Sequence, residues 1–595
     1  MEDLSSISQA IQEALDPKPG QEEPFTLLEI VQGYLGSKDP NVRHLVLEVL
    51  NEIITDGSED QIRTRKEFIF GDTVLSYLPL LLPLHSDAPG LVETLVEACV
   101  EVCSPREAIL ALNESCQLLE ERAERCDVSK DGMDTDGDDD EDEDEPVHEA
   151  DPEDLVDEFV VVVDSYSKVF ARMPRIKSTP TLMTTFDAIS STLRCLLPGC
   201  TSSQASTLAR GMASLIQAAY AWVGRSTDTG GEQRAILTQL LHMSIALLIP
   251  RTRPQTLQAW FLAHFPQYAL LHPSSSQSSS PNTGSTPLAA LHTASQTLCI
   301  GLPDLIDLIS QHSSMSRVSP YAPLSALTLI AHRLALPTPI SPDAESEKID
   351  LPGVDDLLVL LSSGLSSSAV DAAGTVAWEA VHRAQVGEID SASPLVEILM
   401  PLVTSDPDPL NRLAWFKLSQ ALVEKAPPGL DQILLLEQML EPANPYDTLR
   451  PQALSLLRDL LGRPPSSSTS SSPSSSVLQS GLLDRLPLLP WTEHLELSTS
   501  EFIEGPNGAF VTDQLLTLRL LYELDKGDVT GVRSEPWMGR IRKSLERVER
   551  KVKEMRGGLE EAGAGNEEGM RVMEEFFWAR LEEAAQRLKE RIGQA

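Results

Sequence analysis

The stretch that most restricts how this chain can fold is Asn444–Leu461, which reads N-P-Y-D-T-L-R-P-Q-A-L-S-L-L-R-D-L-L. Asn444-Pro445 signals a turn, and the Asp447 carboxylate is placed to cap free amides at a helix start. Pro451 fits a helix only in or near its first turn, where its missing N–H is not needed. Beyond it Ala453, Leu456, Leu457, Leu460 and Leu461 recur at i, i+3, i+4, i+7 and i+8, one face of an amphipathic helix. The design occurs twice more. Asp39-Pro-Asn-Val-Arg43 precedes Leu45, Val46, Val49, Leu50 and Ile53, and Asp406-Pro-Asp-Pro-Leu-Asn-Arg412 precedes Leu413, Trp415, Phe416, Leu418 and Leu422. In each, a Pro-containing turn leads to an Arg that opens a helix with an apolar face.

Arg412 and Arg450 are 38 residues apart, near the ~40–47-residue period of HEAT and armadillo repeats. The expected fold is therefore all-α, a HEAT/armadillo-like helical-repeat solenoid with disordered acidic and Ser-rich inserts. Composition agrees. Apolar residues make up 41% of the 595, but aromatics only 5%, so the core must be mostly Leu, Ala, Val and Ile, as packed helices allow. Stacks of this kind usually bind other proteins.

The expected divisions are helical repeats over 1–127, an acidic disordered linker over 128–151, repeats over 152–272, a Ser/Pro linker over 273–287, repeats over 288–463, a Ser-rich linker over 464–476, and a C-terminal helical region over 477–595. Asp131–Glu158 holds seventeen carboxylates and no Lys or Arg, and self-repulsion keeps its first part a solvated linker, with a helix expected from Pro152. A calcium loop centred on Gly137 would have Gly132 at its first ligand position, so a plain acidic loop is the better reading. Ser280-Pro281 and Ser472-Pro473 fit proline-directed kinases. Val354–Ser363 is among the expected helices. Leu495–Val511 has β-like stretches around Gly505-Pro506-Asn507-Gly508, a turn and a candidate hairpin. Pro536–Arg556 reads as a long basic helix, and Met570–Ile592 closes the chain.

Searches for chemistry return little. The sequence holds no phosphate-binding glycine loop, H-E-x-x-H, G-x-S-x-G or dinucleotide fingerprint. Its eleven His residues are scattered, and His242, His332 and His382 read as packed or surface residues. No catalytic residue, metal ligand or cofactor is expected, and an enzyme is not. Cys99 and Cys103 sit at i, i+4 in an apolar helix and read as core. Seven unpatterned cysteines suggest a reducing compartment. Net charge of −42 disfavours nucleic acid, which demands a Lys/Arg surplus. The most apolar segment, Ala235–Pro250, is sixteen residues, short of the ~20 that span a bilayer. The expected location is the cytoplasm, with the nucleus as a second location besides it. The helix 536–556 runs against the global charge. Either Glu546, Glu549 and Glu554 pair with its cations along a solvated face, or Trp537, Arg540, Lys543, Arg547 and Arg550 form a partner-binding patch for an acidic surface, with Trp537 as anchor.

Three segments carry a resemblance. Asn444–Asp459 resembles the P-Y-x-x-(I/L)-R-x-Q-A-(L/I)-x-L-L-(K/R)-D segment of the glomulin family, which includes plant lateral-root-formation proteins and fungal proteins that bind a Yap oxidative-stress transcription factor. Cys103-Ser-Pro-Arg-Glu-Ala-Ile-Leu-Ala-Leu-Asn-Glu114 is similar to a second family segment, and Ser319-Pro-Tyr-Ala-Pro-Leu to its central Y-S-P-L region. The acidic insert, the Ser-rich inserts and the basic helix lie outside these segments. The resemblance implies an all-α scaffold that binds the RING subunit of cullin–RING ubiquitin ligases and masks its surface for the ubiquitin-conjugating enzyme. The fungal branch implies an alternative, binding a Yap-type factor in the stress response. An importin-like carrier of basic cargo ranks behind both, because repeats are clear at only three places.

Overall fold

A computed structural model describes residues 4–15, 24–131, 151–174, 179–223, 230–271, 286–310, 320–336, 367–389, 392–441, 444–462, 477–478, 481–561 and 568–593. Among them every regular element is helical. Nearly all of the expected acidic and Ser-rich linkers, the Gly137 loop, both Ser-Pro sites and the expected helix Val354–Ser363 lie outside the described residues.

The chain divides into two compact units. The first comprises Met1–Thr256, Pro273–Pro352 and Leu365–Ala373; the second comprises Leu257–His272, Gly353–Gly364 and Gly374–Ala595. In the first, Ser202–Val223 is the central helix, packed on Pro152–Arg172, Gly230–Thr252 and Pro287–Thr297. In the second, Ala392–Ser405 packs on Pro409–Lys425, Leu430–Leu440 on Leu449–Gly462, and Leu449–Gly462 on Pro506–Leu524. These helices thus cover the apolar stripes of neighbours in the chain, as helical repeats do. The fold is an all-α stack of helical repeats.

All three Pro-turn-Arg stretches close in the same way. Asp39 and Asp408 accept from amides of the turn that follows, at 2.9 Å from Asn41 and 2.7 Å from Leu410. The arginine then folds back onto the carbonyl six residues earlier: Arg43 on Ser37 (3.4 Å), Arg412 on Asp406 (2.6 Å) and Arg450 on Asn444 (2.8 Å). The arginine therefore satisfies a carbonyl that the proline turn leaves outside the helix. Asp447 pairs with Arg450 at 2.5 Å, while the Asn444 side chain accepts from Tyr446 N–H at 2.9 Å.

Several expectations are corrected. The helix from Pro105 runs to Asp131, past the expected boundary at 127. Helix Pro152–Arg172, capped by Asp151, starts where repeats were expected to resume and takes in the last acidic residues. There Glu158 is 1% exposed and takes two bonds from Arg122, at 2.6 and 2.8 Å; burial still pushes its carboxyl up to about 7. Helix Glu59–Phe70 was not expected, although Ser58 and Gln61 give a capping-box spacing and Gln61 Oε1 accepts from Ser58 N–H at 3.1 Å. The expected hairpin is absent: Thr499–Glu504 and Pro506–Leu524 are helices. Pro506 opens the second as an N-terminal proline. Gly508 is there because a Cβ would meet Phe577 Cζ at 2.3 Å, so close helix packing, not a turn, requires it.

Helix Gly230–Thr252 is longer than the expected sixteen-residue segment, and Gly231–Thr252 is long and apolar enough to cross a membrane by length and composition. In this structure His242 on that helix is 3% exposed, with Nδ1 against Ser325 Oγ, and burial pulls its pKa down to about 4. His332 is likewise held near 4 by burial and by His292. An unfolded His242 takes up its proton near 6.5 and the folded one only near 4. Its contribution is thus complete above 6.5 and is lost as pH falls. Between about pH 7 and pH 5 the wild type should lose about 2 kcal/mol more stability than His242→Gln. Urea unfolding of both proteins at the two pH values checks this, and parallel losses would refute it.

Candidate partner-binding groove

The second unit carries a groove of about 760 Å³. Its lining comes from five places in the chain: Ile389 with Ala392 and Ser393, Ala426-Pro427, helix Leu430–Leu440 with its cap Glu441, the segment Leu483–Trp491, and Trp537 in the first turn of helix Glu535–Glu561. Helix Leu430–Leu440 packs its inner face, including Ile433, Leu436 and Leu440, into the core. Its outer face keeps Leu430 and Leu434 exposed at 47% and 43%, with Asp431 and Glu441 beside them. Two exposed leucines one helical turn apart are what an amphipathic pattern normally avoids.

Trp491 forms one wall, and the Asn444–Leu461 stretch positions it. The Arg450 guanidinium lies 4.9 Å from the Trp491 ring centre, and Phe510 meets the ring edge at 5.3 Å. His494, 4.7 Å from Trp491, has its pKa lowered by burial and by Arg450. The charged lining is Asp431, Glu437, Glu441, Asp484 and Arg485, with Arg485 3.5 Å from Glu437. The one lining hydroxyl, Ser393, donates to Gln438 at 3.2 Å, and the lining has no His, Cys, Lys or Tyr.

The five residues expected to bind a partner recur at i, i+3, i+6, i+10 and i+13 along helix Glu535–Glu561. Trp537 lines the groove, and Arg540 stacks on its ring at 5.0 Å. Lys543 and Arg550 are exposed, while Arg547 donates to Thr492 Oγ1 at 2.7 Å. Other cations of that helix serve structure: Lys551 is 5% exposed and donates to Leu497 O at 2.6 Å, and Arg556 pairs with Glu582 at 2.5 Å. Of the expected carboxylate partners, Glu554 lies 3.5 Å from Lys551, and Glu549 pairs instead with Lys589 of the next helix at 2.6 Å. Met538, Ile541, Leu545, Val548, Val552 and Met555 are buried with the alternating 3–4 spacing of a coiled-coil seam. That spacing was legible; the groove lining, gathered from distant segments, was not.

The buried thiols of Cys99, Cys103 and Cys116 offer no second site. Cys99 and Cys103 are buried core residues with thiols raised by burial, and burial pushes Cys116 up to about 12. A thiol above its ordinary pKa is a poor nucleophile and a poor redox sensor.

Fold and groove together define an all-α helical-repeat protein with an open apolar and acidic surface. No family model matches the chain, and no curated protein matches it. Among solved structures it is similar to a circular tandem repeat protein with novel repeat topology and enhanced subunit contact surfaces, at 9% identity over 99% of this chain and 97% of the other, with a TM-score of 0.19.

Proposed function

We propose that the chain is a non-catalytic regulatory scaffold of the glomulin kind, which binds the RING subunit of a cullin–RING ubiquitin ligase and occludes the ubiquitin-conjugating enzyme. The observation that carries the scaffold reading is the groove, where Leu434, 43% exposed, lies beside the open carboxylates of Asp431, Glu441 and Asp484. The choice of partner rests on the three resembling segments. A lining with one hydroxyl and no His, Cys, Lys or Tyr suits recognition better than nucleophilic or His-based chemistry. Affinity purification of the tagged full chain, followed by mass spectrometry, should recover cullin and RING subunits. An eluate without them removes this partner.

A further inference from the structure

Resting on the reading of the chain as a partner-binding scaffold, we infer that the groove takes a short peptide segment in which Lys or Arg side chains are interspersed with apolar anchors. Charge is the first reason. Four carboxylates line the groove against one guanidinium, and Arg485 is already engaged by Glu437. Among the described residues Asp431, Glu441 and Asp484 have no ion pair, and all three are exposed. A partner cation seated beside them would gain attraction without displacing a resident one, and a net charge of −42 would speed its approach.

The apolar component is the second reason. Leu434 stands 43% exposed among the carboxylates, with the Trp491 and Trp537 rings on the same lining. A purely hydrophilic basic ligand would leave these surfaces wet; a purely apolar one would bury carboxylates without partners, which is costly. Dimensions are the third. Asp431 in the first turn of helix Leu430–Leu440 and Glu441 at its C-terminal cap are ten residues apart, a span of about 15 Å. That matches about five residues of extended chain or about three turns of a docked helix. Arg540, stacked on the lining residue Trp537, places a positive charge beside that ring, so the partner's cations are expected toward Asp431, Glu441 and Asp484.

The test uses the full chain and a fluorescein-labelled twelve-residue peptide with Leu at i, i+3, i+4 and i+7 and Lys elsewhere, read by fluorescence anisotropy at about 0.15 M salt. Asp431→Lys/Asp484→Lys should weaken binding at least tenfold and Leu434→Glu at least fivefold. Glu29→Lys/Glu52→Lys, which makes the same charge change at exposed positions of the first unit, should stay within twofold. All substituted residues are exposed, and unchanged thermal melting confirms folding. The inference fails if the groove variants bind like wild type, if the control pair weakens binding as much as the groove pair, or if a peptide with Glu in place of Lys binds equally well. The two readings fail separately. Loss of cullin and RING subunits with peptide binding intact removes the proposed partner, whereas a silent groove with those subunits retained removes this inference.

Discussion

Gly374→Ala should destabilise the second unit by about 3 kcal/mol or more, at the upper end of overpacking effects. A Cβ at this position would lie 2.1 Å from Trp415 Cη2 and 2.6 Å from Cζ3. Trp415 has no easy retreat. It is 1% exposed, and its indole N–H donates to Asp406 Oδ2 at 3.2 Å, within the same turn that Arg412 closes. Moving the ring would therefore loosen the start of helix Pro409–Lys425 as well as the packing. A helical-repeat chain need not unfold in one step, so the informative readout is local. Amides of Pro409–Lys425 should lose exchange protection, and Trp415→Phe in the Gly374→Ala background should restore part of it by removing the outer ring atoms. Wild-type protection in the single variant would show that helix Ser367–Arg383, which carries Gly374, and helix Pro409–Lys425 can separate freely, and the packing argument would fail.

Arg450→Ala is expected to cost about 3 kcal/mol and to weaken the groove. Arg450 is 5% exposed, donates to Asn444 O at 2.8 Å, and sits over Trp491. Loss of a charge-assisted bond to a buried carbonyl accounts for about 2 kcal/mol, and loss of the cation–ring contact for about 1. The pair with Asp447 adds little, because Asp447 is 53% exposed. Lysine lacks the planar fork that serves the carbonyl and the ring together, so Arg450→Lys should recover less than half. Chemical unfolding measures the first effect and the anisotropy titration the second. If Arg450→Ala binds peptide normally, Trp491 does not depend on Arg450 for its position.

How much was legible can be argued from these residues. The Pro-turn-Arg stretches were visible because their parts are local: a proline, a capping carboxylate or amide, and an apolar stripe within twenty residues. Even so, their mechanism was half seen. In sequence Arg450 reads as the residue that opens an amphipathic helix. It first closes its own turn, as Arg43 and Arg412 do, and then also holds Trp491. Gly505–Gly508 misled because glycine and proline mark turns by conformation, whereas Gly508 serves a contact with a residue 69 positions away. The basic helix misled in a related way. Its charges are plain in sequence, but their partners, Leu497, Thr492 and Glu582, lie on other segments.

The sequence by itself determined that the chain is helical, where most helices begin, and which faces are apolar, because periodicity, caps and prolines act within a few turns of backbone. Only the tertiary structure decided which exposed leucines, carboxylates and tryptophans share a surface. Leu434, Asp484, Trp491 and Trp537 span more than a hundred residues, and no local rule brings them together. Helix-on-helix packing does, by burying the inner face of Leu430–Leu440 and leaving its outer face open.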